Sequence, residues 1–212
     1  MKNRLLEHKQ TLLGMLFSGL AALAVNLMAL PSAEISTNLG LPASASLIKL
    51  TVETRGDFLL YENYGYEIRI RYPHTWEIQE IESQGTVARF LLPNYSASDS
   101  FVPSIIVMVE DLRKPMSLDE YTNSATKEIT RFVANVEIID SRSATLAKRR
   151  GHKIVYTGQD DGRIWQRLQF WTLKNNKAYI ITYEAETSKS AKFLKTAQQM
   201  IDSFEIIETR QR

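Results

Sequence analysis

The chain has 212 residues, of which 44% are hydrophobic and 24% charged, and its formal net charge is +2. This length suits one domain of ordinary size with an N-terminal appendage, and the composition excludes a disordered or fibrous protein. The sequence contains no cysteine, which excludes disulfides, thiolate nucleophiles and cysteine-ligated zinc or iron–sulfur sites.

The excess positive charge lies at the N-terminus. Removing Lys2, Arg4 and Lys9 from the 26 basic residues and Glu7 from the 24 acidic ones leaves 23 of each sign beyond residue 33. A neutral domain lacks the overall field of a general nucleic-acid binder, whose affinity rests on neutralising phosphates. We therefore expect no nucleic-acid partner, and any basic binding surface must be local.

An uncharged apolar stretch, residues 11–30, follows the basic N-terminus. Its length favours a membrane anchor, since about 20 apolar residues cross a bilayer. The small residues that follow it, up to Ala33, instead favour a signal peptide cleaved near that position. Residues 1–33 are therefore predicted to be a signal peptide or a membrane anchor, and either predicts an exported, membrane-associated protein. Residues 34–56 are small and polar and are predicted to be a linker.

The remaining residues, 57–212, are predicted to form one domain that begins with strands. Apolar and charged side chains alternate most clearly in residues 66–72, whose predicted apolar face consists of Tyr66, Ile68, Ile70 and Tyr72. After Pro73 a neighbouring strand is predicted at 76–81, and shorter apolar runs predict strands at 87–92 and 105–109. A first helix begins at Ser117, because Ser117 and Glu120 have the spacing of a capping box. Its predicted apolar stripe consists of Leu118, Tyr121, Ala125, Ile129 and Phe132.

The second half is predicted to contain three strands, at 153–157, 164–173 and 178–185, and a last helix. The pairs Asp161-Gly162 and Asn175-Asn176 tolerate positive φ and predict tight hairpins. The last helix begins near Ser188, and its predicted inward residues are Leu194, Ala197, Ile201 and Phe204. Apolar side chains alternate on both faces of the strand at 164–173, with Ile164, Leu168 and Phe170 on one and Trp165, Trp171 and Leu173 on the other. A sheet covered on both faces is implied, with the two tryptophans in the core.

The sequence offers few candidate sites. His74 and His152 have no second histidine at metal-ligating spacing, and the carboxylates of Asp160 and Asp161 are better explained by a hairpin than by calcium binding. No nucleophile elbow, phosphate-binding loop or calcium loop is present, so we expect no enzymatic activity. One basic triplet is the candidate partner-binding site, although a solvated turn is the simpler interpretation: Lys148, Arg149 and Arg150.

Several segments together resemble the PsbP-like domain family, which includes the extrinsic photosystem II subunit PsbP and its cyanobacterial relatives. The similar segments are Tyr72-Pro73-x-x-Trp76, Ser-Leu-Asp-Glu-Tyr (117–121), Gly151-His-Lys-Ile-Val-Tyr156, Lys177-Ala-Tyr-Ile-Ile-Thr-Tyr-Glu-Ala185 and Phe193-x-x-x-Ala197-x-x-Met200-Ile-Asp-Ser-Phe204. The resemblance covers about residues 58–207. It implies an α+β fold, in which helices flank both faces of a mainly antiparallel central sheet.

The resemblance also implies a function. Members of the family are non-enzymatic proteins that help to assemble or stabilise the oxygen-evolving complex of photosystem II at the lumen surface of the thylakoid and to retain its calcium. By resemblance alone, calcium is the implied cofactor and a membrane protein complex is the implied partner of a monomeric domain in the thylakoid lumen or periplasm. The alternative is a general periplasmic or envelope interaction module unrelated to photosynthesis.

Overall fold

The computed structural model describes residues 57–83, 85–92, 102–160 and 162–208. The elements in these residues are, in chain order, β1 (Phe58–Asn63), β2 (Ile68–Pro73), β3 (Glu77–Ser83), β4 (Thr86–Leu91), β5 (Ser104–Asp111), α1 (Leu118–Phe132), β6 (Glu137–Leu146), β7 (Arg149–Asp160), β8 (Arg163–Lys174), β9 (Lys177–Glu186), α2 (Thr187–Asp202) and β10 (Glu205–Ile206). The predicted anchor at 11–30 and the linker at 34–56 lie outside the described residues. Within the described ranges, no helix is both long and apolar enough to span a bilayer.

The strands form two sheets. A seven-stranded sheet has the order β3-β4-β5-β9-β8-β7-β6, and a three-stranded sheet has the order β1-β2-β10. Every strand pair in the described residues is antiparallel. The predicted α+β class with a mainly antiparallel sheet is therefore confirmed.

Two tight hairpins join neighbouring strands of the large sheet. Asn175 and Asn176 join β8 to β9 with φ values of 51° and 60°, as predicted, and Ala147 and Lys148 join β6 to β7 with φ values of 50° and 60°. Paired left-handed residues of this kind match the twist of antiparallel strands. Gly162, with φ of 76°, follows β7, while its partner Asp161 in the predicted turn lies outside the described residues.

The two faces of the large sheet carry separate cores. Leu168 and Phe170 of β8 belong to a cluster that includes residues of the small sheet and Ala197, Met200 and Ile201 of α2. Trp165 and Trp171 belong to a second cluster, which includes Tyr121, Ala125 and Ile129 of α1. We call these the α2 face and the α1 face. The α2 face is shared between a helix and the small sheet. The predicted flanking of both faces of the sheet by helices stays a prediction.

Several predictions about individual elements were wrong. The strands β1 and β6 were not predicted. Leu194 and Ile164, which were predicted to be buried, are 45% and 55% exposed. Both tryptophans and Phe204 are buried as predicted, and the capping box is confirmed, with Ser117 Oγ accepting from the Glu120 amide and the Glu120 carboxylate accepting from the Ser117 amide.

Candidate functional site

Among the residues that the structure describes, the last helix covers only part of the large sheet. The buried side of α2 consists of Ala197, Met200 and Ile201, and the helix packs against β8, β9 and β2. Beyond β8 the sheet continues with β7 and β6. A groove therefore lies along one flank of α2, with the sheet as its floor.

The groove has a volume of about 680 Å³ and a mixed lining. Its sheet side is formed by Lys153 and Val155 of β7, Gln166 and Leu168 of β8, and Tyr183 of β9. Its helix side is formed by Ala191, Leu194, Lys195, Gln198, Gln199 and Asp202. Clefts of this size that combine apolar side chains with a few polar groups are common among ligand-binding sites.

An apolar stripe runs through the groove. Val155 is half-buried and Leu168 is buried in the floor, whereas Leu194 on the helix side remains 45% exposed. Ile164, two residues before Gln166 on the same side of β8, extends this stripe and is 55% exposed. Exposed apolar side chains that gather at a concave surface are a feature of interaction sites.

The phenol of Tyr183 fixes one end of the floor. Its hydroxyl donates to the Ser190 carbonyl oxygen at 2.8 Å, so this strand residue is tied to the first turns of α2. The hydroxyl is thereby engaged in a structural contact. The floor and the helix wall are held together, so the shape of the groove is built into the fold.

Charges of both signs lie on the open side of the groove, where Glu137 of β6 is opposite Thr157 on the same face of the sheet. Arg142 of β6 lies opposite Lys153 in the β6–β7 register. Both side chains pair with the same carboxylate oxygen, Oδ2 of Asp140. Arg142 Nε lies 3.3 Å from it and Lys153 Nζ lies 3.2 Å from it. On the helix side, Lys195 adds a further cation, and Asp202 accepts a hydrogen bond from Gln198 at 2.7 Å. One carboxylate is thus shared by two cations.

The predicted basic triplet lies at the β6–β7 hairpin, outside the groove lining. Lys148 is in the turn itself, and strand alternation directs Arg149 and Arg150 to opposite faces of β7. Arg149 Nε donates to the Leu173 carbonyl oxygen at 3.3 Å, whereas the Arg150 guanidinium lies 3.5 Å from the carboxylate of Asp119 on α1. All three are exposed, but they do not form one cluster, and their role in partner binding stays a prediction.

Neither histidine lies in a metal site. His152 stacks on Trp171 and is hydrogen-bonded through Nε2 to Ser141 Oγ at 2.9 Å, while His74 is exposed with Nδ1 3.1 Å from the Asp57 carbonyl oxygen. Burial lowers the pKa of His152, against the raising effect of nearby carboxylates. In the part of the chain that the structure describes, no three or more His, Asp or Glu side chains converge on a point that a metal would occupy. Asp160 ends β7, and calcium remains implied by resemblance alone.

The groove was missed in the sequence because its residues come from four elements. One signal was present in the strand at 153–157. Its side chains on the α2 face, Lys153 and Thr157 around Val155, are largely polar, while those on the α1 face, Ile154 and Tyr156, are apolar. A polar face on a strand next to a well-covered strand indicates an open surface.

Comparison with protein families shows to which family the chain is related. A profile of the family described as PsbP-like protein matches residues 21–206. The chain belongs to the PsbP-like protein family. The resemblance of the sequence segments is thereby confirmed over most of the chain. No curated protein matches it.

Solved structures share the PsbP-like fold. Cyanobacterial PsbP (CyanoP) from Synechocystis sp. PCC 6803 has 10% identity and a TM-score of 0.55, over 76% of this chain and 98% of CyanoP. LpqN, involved in cell envelope biogenesis of Mycobacterium tuberculosis, has 14% identity and a TM-score of 0.55, over 76% and 92%. The Ran-binding protein Mog1p of Saccharomyces cerevisiae has 11% identity and a TM-score of 0.50, over 71% and 96%. At these identities the likeness shows the fold alone.

Proposed function

We propose that this chain is a non-enzymatic extrinsic protein that docks on a membrane protein complex outside the cytoplasm and helps to assemble or stabilise it. The observation that carries the proposal is the groove beside α2, where an apolar stripe that includes the exposed Leu194 lies among charged and amide side chains. Such a surface suits a segment of another protein, since interfaces have apolar centres and polar rims.

The chemistry of the groove supports binding rather than catalysis. The polar residues of its lining are lysines, glutamines, one aspartate and one tyrosine. The tyrosine hydroxyl donates a hydrogen bond to a backbone carbonyl. Catalysis by acid–base or nucleophilic routes needs a nucleophile oriented by a base. Ser141 and His152 are hydrogen-bonded to each other, but they lie on the outer strands rather than among the residues that line the groove.

Photosystem II is the partner that we propose first, with the domain in the thylakoid lumen and with a link to the calcium of the oxygen-evolving complex. Membership of the PsbP-like family supports this choice. The alternative partner is a periplasmic or envelope complex unrelated to photosynthesis. It is favoured by the shared fold of LpqN, a protein involved in cell envelope biogenesis.

A pull-down from detergent-solubilised membranes tests the proposal. The tagged full-length chain is compared with Leu194→Asp, which places a charge in the apolar part of the groove, and with Ile138→Asp, a matched change at an exposed isoleucine on β6 outside the groove lining. We expect a membrane complex to be retained by the wild type and by Ile138→Asp and to be lost by Leu194→Asp.

The identity of the retained complex separates the two partners. Recovery of photosystem II subunits supports the photosynthetic role, and recovery of other envelope proteins supports the alternative. Equal recovery with the wild type and Leu194→Asp contradicts docking through the groove.

A further inference from the structure

We propose that residues 47–53, in the last part of the predicted linker, pair as a strand with the free edge of β1 and extend the small sheet. This inference goes beyond the proposed function, because it concerns how the domain is joined to the N-terminal region. Three observations carry it: an unprotected edge on β1, the sequence pattern of residues 47–53, and the agreement of the two in one register.

The outer edge of β1 presents backbone groups that β2 does not use. Among the described strands β1 pairs with β2 alone, since it ends the order β1-β2-β10. The His74 amide donates to the Asp57 carbonyl oxygen at 2.9 Å, and these residues are opposite each other when the β1–β2 register is continued by one position. Hydrogen-bonded positions of this kind alternate with positions whose groups point away. The N–H and C=O groups of Phe58, Leu60 and Glu62 therefore point away from β2.

This edge lacks the features that usually keep a further strand from pairing. Short length, charge, proline and bulges protect the edges of natural sheets. Of the other free edges in the described part of the chain, β10 has two residues, and β3 and β6 each combine charged side chains with a register shift. By contrast, residues 58–61 of β1 are apolar or aromatic, and the β1–β2 register is unbroken. A covering strand is therefore expected at β1.

Residues 47–53 have the sequence pattern of such a strand. Apolar and polar side chains alternate in it, with Ile48, Leu50 and Val52 in one set and Lys49, Thr51 and Glu53 in the other. A period of two predicts a strand with one apolar face. Four residues, 54–57, separate it from β1 and include a glycine, which predicts a hairpin. A loop of the same length, residues 64–67, joins β1 to β2.

The loop length determines which residues would face each other. A four-residue loop places Val52 opposite Leu59 and Leu50 opposite Tyr61. The apolar set then lies on the same side of the small sheet as Tyr61, which belongs to the core on the α2 face. Residues 49, 51 and 53 come opposite the three residues of β1 whose backbone groups point outward. A slip of one residue would move the apolar set away from the core.

The same register brings opposite charges together. Lys49 would lie opposite Glu62, whose side chain is 9% exposed. The Glu62 carboxylate accepts from the Tyr64 hydroxyl at 3.2 Å, but its Oε1 is 3.9 Å from Arg69, which pairs more closely with Glu205 at 2.5 Å. Opposite charges on facing residues of neighbouring strands stabilise their pairing. The charge pattern and the apolar pattern therefore favour one and the same register.

Pairing would shorten the reach of the domain from the predicted anchor at 11–30. Residues 31–57 lie between that stretch and β1, whereas only residues 31–46 would remain unpaired. An extended chain spans at most about 3.5 Å per residue, so the greatest reach would fall from about 95 Å to about 55 Å. The strand would thus hold the domain closer to the bilayer.

Amide hydrogen exchange in the full-length chain in nonionic detergent, resolved by NMR, tests the pairing. We expect the Leu60 and Glu62 amides to be protected in the wild type. Thr51→Pro removes a donor that faces β1 and should speed their exchange on the order of tenfold or more. The Tyr61 amide, which faces β2, is the internal reference for an intact domain and should change less than about twofold. The control Thr37→Pro, earlier in the linker, should leave all three rates unchanged.

Engineered disulfides test the register, since the chain has no cysteine of its own. Val52→Cys/Leu59→Cys would face each other at a position without mutual hydrogen bonds, where Cα atoms lie about 4.5 Å apart, a distance that suits a disulfide. Thr51→Cys/Leu59→Cys would place the two thiols on opposite faces. We expect the first pair to close within one chain at least about tenfold faster than the second under mild oxidation. Equal rates, disulfides mainly between chains, or unchanged Leu60 and Glu62 exchange in Thr51→Pro would overturn the proposal.

Discussion

The imidazole of His152 stacks on the indole of Trp171, with 5.0 Å between the ring centroids and 25° between the ring planes. Burial lowers the pKa of His152 below its ordinary value of 6.5, and the carboxylates of Asp119 and Asp140 oppose this shift. Because a protonated imidazole quenches a stacked indole, we expect tryptophan emission to fall as the pH is lowered, with a midpoint below 6.5. The variant His152→Gln should remove this transition, and its persistence in that variant would show that another group is responsible.

The same histidine makes stability depend on pH. The unfolded chain binds the proton near pH 6.5 and the folded chain only at lower pH, so between these values the unfolded state holds more protons. The stability that depends on unprotonated His152 is therefore fully present above about pH 6.5, and it is lost as the pH falls through the folded pKa. Urea unfolding from pH 7.5 to pH 5 should show a smaller loss of stability in His152→Gln than in the wild type. An equal loss would contradict the assignment.

The capping box of α1 predicts a local loss of stability. Ser117 Oγ accepts from the Glu120 amide at 3.2 Å, and removing this acceptor in Ser117→Ala should destabilise the chain by about 0.5–2 kcal/mol. Ser124 is exposed in the middle of the same helix and is the matched control, since Ser124→Ala should be neutral or slightly stabilising. Thermal unfolding of both variants checks the difference. Equal midpoints would show that the cap does not stabilise the fold.

Gly158 provides space for an indole. It lies opposite Trp165 in the β7–β8 register, and a Cβ at this position would overlap the Trp165 ring and a methyl group of Val133. Overpacking of this kind should make Gly158→Ala less stable by about 1–3 kcal/mol. At Gly65 a Cβ would meet only Asn63 Oδ1 at 3.4 Å, so Gly65→Ala should cost nothing measurable or stabilise slightly. Denaturant midpoints for the two variants give the comparison, and similar values would refute it.

Two ion pairs of equal length differ in burial, so comparing them shows how burial changes their effect on stability. Arg167 Nε lies 2.5 Å from Glu184 Oε2 with both side chains less than a tenth exposed, and Arg69 lies 2.5 Å from Glu205 with both about two-fifths exposed. Glu184→Gln removes the carboxylate charge that pairs with the buried Arg167 and, at 3.7 Å, with Arg89, and it should cost about 3–5 kcal/mol. Glu205→Gln should cost about 0–1 kcal/mol. Equilibrium unfolding measures both, and costs of similar size would contradict the role of burial.

The strands that could be predicted from the sequence are those whose apolar side chains recur in a clear pattern on one face or on both. Residues 164–173 showed apolar side chains on both faces, and the structure places Leu168 and Trp171 in separate cores. The edge strand β6 gave no such pattern, because most of its side chains are exposed on both faces. A bulge between Ile138 and Asp140 also interrupts the alternation of its side chains between the two faces.

The groove could not be predicted from helical spacing. Leu194 shares a stripe with Ala197 and Ile201, so the pattern identifies the correct side of α2 but not how closely the sheet approaches each turn. That distance is set by how α2 packs on β8, β9 and β2, which is a property of the assembled fold. The basic triplet shows the opposite case, in which residues adjacent in sequence do not form one site. Arg149 and Arg150 are consecutive residues of β7 and therefore lie on opposite faces of the strand.

Site-specific photo-crosslinking from position 194 tests the central claim most directly. A photoreactive amino acid replaces Leu194 in the full-length chain, and a second variant carries it at Ile138, which is 39% exposed on β6 and outside the groove lining. After irradiation of intact membranes, the crosslinked peptides are identified by mass spectrometry. The account predicts that position 194 captures one defined segment of a membrane complex and that position 138 does not. Capture of the same segment from position 138 alone would contradict it.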